Sequence, residues 1–105
     1  FIDNNLHDIC ASIQYTLITI LLQKLKKAAK QTKIKDIAIA GGVSANSGLR
    51  KALQETADKL GWKTYIPAFE YCTDNAAMIA MAAHFKYLNQ DFTDQTASPM
   101  ARMIF

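Results

Sequence analysis

Between residues 34 and 66 two short β-type runs flank one amphipathic helical stretch, and this alternation constrains the fold more than any other feature of the sequence. "IKDIAIA", residues 34–40, is apolar and rich in β-branched side chains, too short for a stable helix, and stopped by the pair Gly41 and Gly42. Its nearly unbroken apolarity after Asp36 predicts a strand buried on both faces. Over residues 44–60 the period changes. Leu49, Leu53, Ala57 and Leu60 fall on one helical face, and Arg50, Lys51, Glu55, Asp58 and Lys59 fall elsewhere. Gly61 stands where a helix C-terminus wants a left-handed residue, and "WKTYI", residues 62–66, resumes a β pattern that Pro67 ends. A strand, a helix and a second strand within about thirty residues form a βαβ unit, with parallel strands and a right-handed crossover. Two strands make a weak sheet alone, so the pattern predicts further strands beyond this stretch.

Helical segments lie on both sides of that unit. Over residues 3–31 Leu6, Ile9, Ile13, Leu17, Ile20, Leu21 and Leu25 recur at spacings of a helical stripe, with Asp3 or Asn4 able to cap the start. After the loop "PAFEYC", the Thr73 hydroxyl is a natural cap for a helix running to residue 89. That helix, "DNAAMIAMAAHFKYL", carries almost no charge in its first turns, which predicts burial nearly all round. Residues 90–105 lack periodicity and are expected to be an irregular tail. The reading is an α/β chain of order α-β-α-β-α over residues 1–89, followed by that tail.

A chain of 105 residues is at most one ordinary domain, and its first residue, Phe1, fits a piece of something longer. The longest apolar patch, "YTLITILL", is far below the ~20 residues that span a bilayer, and the acids and amides of "FIDNNLHDIC" are not a secretory leader. Cys10 and Cys72 show no metal or disulfide spacing. Both are read as reduced thiols of a cytoplasmic protein that does not enter the membrane.

Parallel strands send the turn "GGVSAN" and the loop "FEYCTDN" out of the same sheet edge, where open α/β sheets bind ligands. Both segments feed helix N-termini, whose unpaired N–H groups favour anions. Gly41 and Gly42 serve either a tight turn or the close approach of a flat ligand to the backbone. Ser44, Asn46 and Ser47 can cap the following helix, and Asn46 can alternatively present its amide to a ligand. Asp74 is either a favourable first-turn acid or a metal-binding carboxylate, while His7 and His84 share no ligand spacing with it. Cys72 has no base near it in sequence and reads as a small buried hydrophobe. Half of the twelve basic residues lie in "KLKKAAKQTKIK", residues 24–35. They suit either a solvated helix C-terminus or contact with phosphates. No Ser-His-Asp set, phosphate loop or dinucleotide fingerprint is present.

The motif "GGVSANSGLR", followed after a helix and a strand by Pro67, aromatic residues and "CTDNAAMIA", resembles the C-terminal lobe of the TsaD family of tRNA threonylcarbamoyltransferases, formerly labelled O-sialoglycoprotein endopeptidases or glycoproteases. The resemblance implies the two-lobed, ribonuclease H-like fold shared by actin, heat-shock chaperones and sugar kinases. It implies transfer of a threonylcarbamoyl group from threonylcarbamoyl-adenylate to N6 of the adenosine 3′ of the tRNA anticodon. By position it makes Gly41 and Gly42 the glycines near the adenine, Asn46 a substrate contact and Asp74 a ligand of a bound iron or zinc ion. The two histidine ligands belong to an HxxxH helix of the N-terminal lobe, which has no counterpart here, so the chain alone is expected to be inactive. TsaB- and TsaE-type partner proteins and tRNA are the implied partners. The same glycine pair would also suit an actin-like ATPase or sugar kinase lobe, and the basic helix would suit a non-catalytic tRNA or protein interaction module.

Overall fold

The computed structural model describes residues 1–99 and contains α1 (Ile2–Thr32), β1 (Asp36–Ala38), a 3-10 turn (Gly42–Ala45), α2 (Ser47–Leu60), β2 (Lys63–Tyr65), a second 3-10 turn (Phe69–Tyr71) and α3 (Ala76–Leu88). The chain divides into two compact units, Phe1–Thr73 and a second that begins at Asp74. The break thus precedes α3, whereas the sequence pattern changes at residue 90. The predicted tail over residues 100–105 lies outside the described residues. Residues 90–99 form neither helix nor strand.

In the first unit β1 and β2 pair in parallel, with Asp36 opposite Lys63, Ile37 opposite Thr64 and Ala38 opposite Tyr65. The pairing extends at each end through Lys63 N–H to Lys35 O (2.9 Å) and Ile39 N–H to Tyr65 O (3.1 Å). This is the predicted parallel βαβ unit, although the strands are shorter than the apolar runs. Burial on both faces is corrected: of β1 only Ile37 is buried, and Asp36 and Ala38 are exposed. Successive strand residues point to opposite faces, and within this unit helices cover only the face that carries Ile37. On the other face the Tyr65 hydroxyl donates to Asp36 Oδ1 at 3.0 Å.

The core joins Leu22 and Ala29 of α1, Ile37 of β1 and Leu53 of α2, with Ile18, Leu25, Ile39, Trp62 and Ile66 packed around them. The stripe of α1 that enters it is therefore 18, 22, 25 and 29. Most of the stripe expected from the sequence faces solvent, with Leu6, Ile13 and Leu17 each more than half exposed. Gly48 lets the two helices come together, because a Cβ there would lie 3.0 Å from Ile18 Cδ1 and 3.2 Å from Gln14 Nε2.

Local capping also departs from expectation at three points. Neither Asp3 nor Asn4 caps α1: the helix follows Phe1, and its backbone breaks at Asn5 (φ −129°, ψ 15°), whose amide donates to Phe1 O at 2.7 Å. The helix expected from Ser44 begins at Ser47, after a 3-10 turn. In the second unit the cap of α3 is Asn75, whose Oδ1 accepts from Met78 N–H at 2.9 Å, rather than Thr73. Gly61 stops α2 as predicted, in the left-handed region at φ 64°.

No residue of α3 is buried, against the expectation of near-complete burial. Its apolar side chains, Ile79, Met81 and Phe85 among them, are more than half exposed. A helix apolar on all sides needs packing partners on all sides, and the described residues do not provide them. No helix among the described residues is long and apolar enough to cross a membrane.

Candidate functional site

The turn after β1 is built on Gly41. Its backbone sits at φ 80°, ψ 174°, a region that only glycine occupies without strain. From there its carbonyl accepts both the Ser44 N–H (2.9 Å) and the Ser44 hydroxyl (2.6 Å), and Ser44 is only 2% exposed. Gly42 differs. Its φ is not positive, and a Cβ built on either glycine meets nothing within 4 Å. The first glycine is thus required by the turn, while nothing in the chain's own fold requires the second. Above both lies open space at the carboxyl edge of the sheet.

Asn46 follows as the cap of α2, its Oδ1 accepting from Leu49 N–H at 2.9 Å. That bond fixes which end of the amide is oxygen, since an N–H must meet an acceptor. One Nδ2 hydrogen goes to Gln14 Oε1 at 3.3 Å. The other has no partner among the described residues, so the cap leaves a donor free. Asn46 also lines an apolar groove of about 490 Å³ between α1 and the turn, with Cys10, Ile13, Leu17, Val43 and Leu49.

The residue that ties the edge together is one the sequence pattern assigned merely to the outer side of α2. Arg50 Nε donates to Ser44 O (2.6 Å), and Nη2 donates to Pro67 O (2.7 Å) and to Cys72 Sγ (3.0 Å). Its guanidinium carbon stands 4.0 Å from the centroid of the Phe69 ring. The fork shape of guanidinium lets one side chain hold the glycine turn and the loop after β2 at once. The two segments predicted to share an edge are therefore physically linked. A signal was present: the first turn of a helix disfavours cations, so an arginine there asks for a further reason.

Cys72 is buried, as expected, at 2% exposure. It is not a purely apolar filler, because its sulfur accepts from Arg50 and its thiol donates to Ala68 O at 3.4 Å. Cys10 is exposed on α1, and both thiols are free.

Asp74 opens the second unit, exposed and without a hydrogen-bonding partner among the described residues. Its carboxylate is a suitable hard ligand for a divalent cation. The described residues contain no group of three His, Cys, Asp or Glu side chains that could hold a metal ion, so Asp74 can offer one ligand of a set and no more. The structure brings Gly41, Gly42 and Asn46 into one turn, and Asp74 belongs to the other unit.

A family model described as "TsaD: tRNA N6-adenosine threonylcarbamoyltransferase" matches residues 1–81, which include the glycine turn, Arg50 and Asp74. Curated proteins bearing the name tRNA N6-adenosine threonylcarbamoyltransferase are close in sequence. That of Christiangramia forsetii is 58% identical over 105 residues, covering 100% of this chain and 31% of the relative. That of Cytophaga hutchinsonii is 57% identical over 103 residues, 98% of this chain and 30% of the relative. That of Riemerella anatipestifer is 56% identical over 102 residues, 97% and 30% respectively. The chain spans less than a third of the length of these relatives.

Proposed function

Because this chain belongs to the TsaD family of tRNA N6-adenosine threonylcarbamoyltransferases, we propose that it forms part of the C-terminal lobe of an enzyme that modifies tRNA. The reaction is transfer of the threonylcarbamoyl group from threonylcarbamoyl-adenylate to N6 of the adenosine 3′ of the anticodon. The observation that carries this reading is the family match across residues 1–81, reinforced by a second glycine that the fold itself does not require. The whole enzyme has the actin-like, two-lobed, ribonuclease H-like architecture, of which the parallel βαβ unit is one element. It works in the cytoplasm with TsaB- and TsaE-type partner proteins, and this chain alone is inactive.

Within that enzyme the chain's own residues bind and orient. Gly41 and Gly42 offer bare backbone to the adenine, and the free Nδ2 hydrogen of Asn46 donates to an acceptor oxygen of the adenylate. Arg50 keeps the turn and the loop after β2 at a fixed separation. Asp74 would hold one coordination position of a divalent iron or zinc ion, whose chemistry is to polarise a carbonyl oxygen. The remaining ligands come from the part of the enzyme that this chain does not include.

The test is direct. A full-length protein carrying this chain, with its partner proteins, is supplied with threonylcarbamoyl-adenylate and unmodified tRNA, and the tRNA is digested to nucleosides for mass spectrometry. The expected product is N6-threonylcarbamoyladenosine. If the adenosine stays unmodified under these conditions, the reading is wrong.

A further inference from the structure

A second concave surface lies at the opposite end of the sheet. A groove of about 500 Å³ is bounded by Lys26, Ala29 and Lys30 of α1, by Lys33, Ile34 and Lys35 leading into β1, and by Leu60 and Trp62 between α2 and β2. Lys35 and Trp62 immediately precede the strands, whereas Gly41 and Gly42 follow one of them, so the groove belongs to the amino edge of the sheet. No acidic residue lines it. The one ion pair among the described residues is Lys86 with Asp91, in the other unit, so none of these four ammonium groups is neutralised.

Helix ends explain only part of this. A cation in the last turn of a helix complements its dipole, which accounts for Lys30. The effect fades beyond that turn, so it does not reach Lys26, and Lys35 lies past the helix altogether. Lys33 sits at φ 59°, ψ 17°, the left-handed position where glycine or asparagine is favoured by the backbone. The backbone therefore does not select lysine there. What the four share is the groove, whose wall includes the Trp62 indole.

Resting on the proposed function, we infer that this lysine groove is an RNA-binding surface that takes the phosphate backbone of the tRNA away from the modified adenosine. Its chemistry is that of single-sign ammonium groups beside an aromatic wall, which suits phosphates with an adjoining base. The strands that separate the two edges are three residues each, about 10 Å, a distance a folded RNA spans easily. An acidic protein would satisfy the charges equally but makes no use of a tRNA substrate.

The experiment measures binding of unmodified tRNA to a full-length protein carrying this chain, across a series of salt concentrations. One variant combines Lys26→Gln, Lys30→Gln, Lys33→Gln and Lys35→Gln. A charge-matched control combines Lys24→Gln, Lys27→Gln, Lys51→Gln and Lys59→Gln, all exposed and outside the groove. Each phosphate contact contributes about 0.7–0.9 to the slope of log affinity against log salt, so the groove variant is expected to lose about 3 from that slope and at least about tenfold in affinity at low salt. The control is expected to lose less than about 1. Its threonylcarbamoyl transfer, at saturating tRNA, is expected to match the unsubstituted protein.

Equal slopes for groove variant and control overturn the inference while leaving the function intact. So does a groove variant that keeps tRNA affinity but fails to assemble with a partner protein, which would mark the surface as a protein interface. If the unsubstituted protein neither binds tRNA nor modifies it, the functional reading itself falls. Circular dichroism spectra that superimpose for all three proteins confirm that binding, not folding, was changed.

Discussion

Replacing the two adjacent glycines one at a time separates what the fold needs from what a ligand needs. At Gly41 (φ 80°, ψ 174°) an alanine is forced into a region that costs of order 1–3 kcal/mol for any residue with a side chain. At Gly42 no positive φ and no neighbour within 4 Å opposes a Cβ, so the same change is neutral or stabilises by about 0.4–1 kcal/mol through the unfolded chain. The two variants should therefore differ by about 2 kcal/mol, which is about thirtyfold in a local opening equilibrium. Hydrogen exchange reads this at the Ser44 amide, which bonds to Gly41 O at 2.9 Å, and at the Asn46 amide, which bonds to Val43 O at 3.0 Å. Gly41→Ala should speed exchange at both, and Gly42→Ala should leave them slow. In a full-length protein carrying this chain, Gly42→Ala should nonetheless weaken binding of threonylcarbamoyl-adenylate, because the added methyl occupies the open space over the turn. Equal destabilisation by both substitutions would show that the turn demands two glycines. Unchanged adenylate affinity in Gly42→Ala would remove the ligand platform.

Three other residues give sharp outcomes. Arg50→Ala should lower stability by about 2–3 kcal/mol in urea denaturation, since hydrogen bonds to a charged group contribute about 1.5–3 kcal/mol each and Arg50 is half-buried; Arg50→Lys should recover less than half, and a loss under about 0.5 kcal/mol for the alanine variant contradicts the clamp. Asn46→Ala should cost about 1 kcal/mol through the lost cap, whereas Asn46→Asp should keep the cap and stability but lose affinity for the adenylate, as it lacks the Nδ2 donor. Wild-type affinity in the aspartate variant would leave Asn46 as a cap alone. Asp74→Ala in the full-length protein should abolish bound iron or zinc, measured by elemental analysis, with transfer activity falling in step; full occupancy would end its assignment as a ligand.

The parts of this molecule legible in its sequence are those whose causes are local. A run of β-branched residues, a glycine pair, a 3.6-residue period and a glycine stop specify β1, α2 and β2 from within about thirty residues, and their parallel pairing follows from connection geometry. Of the two roles open to Asn46 in the sequence, the structure shows the cap, with Oδ1 accepting from Leu49 N–H and Nδ2 donating to Gln14. The differences concern either partners distant in sequence or which of several nearby competent caps the backbone selects. The α1 stripe of 6, 9, 13 and 17 is as regular as 18, 22, 25 and 29, and only the position of α2 decides which one is buried. Thr73 and Asn75 are both competent caps, and the choice depends on where the backbone turns into α3. Arg50 has no local signature as a clamp, because two of its partners, Pro67 and Cys72, lie a strand away.

Extensive exposed apolar surface accompanies a match that spans less than a third of the relatives' length. Leu6, Ile13 and Leu17 of α1 are more than half exposed, as are Ile79, Met81 and Phe85 of α3, while the chain covers 31% of the Christiangramia forsetii protein. A globular fold rarely leaves so many large apolar side chains half in water, because each forgoes about 1–2 kcal/mol that complete burial would return. The polar residues of the candidate site show the opposite condition. Ser44, Asn46, Arg50 and Cys72 are bonded within the first unit, and Arg50 closes its network without help from elsewhere. The apolar surface therefore lacks packing partners among the described residues, whereas the edge that carries the glycine turn is already held in shape. Preorganisation of that kind is what a substrate-positioning surface needs, since side chains fixed before binding lose little freedom when the ligand arrives. It follows that mild destabilisation of this chain should loosen its exposed apolar helices before it disturbs the geometry of the glycine turn. Heteronuclear NMR on the isolated chain can check the order of events: amide shifts for residues 41–50 should stay dispersed under conditions where those of α3 have already broadened.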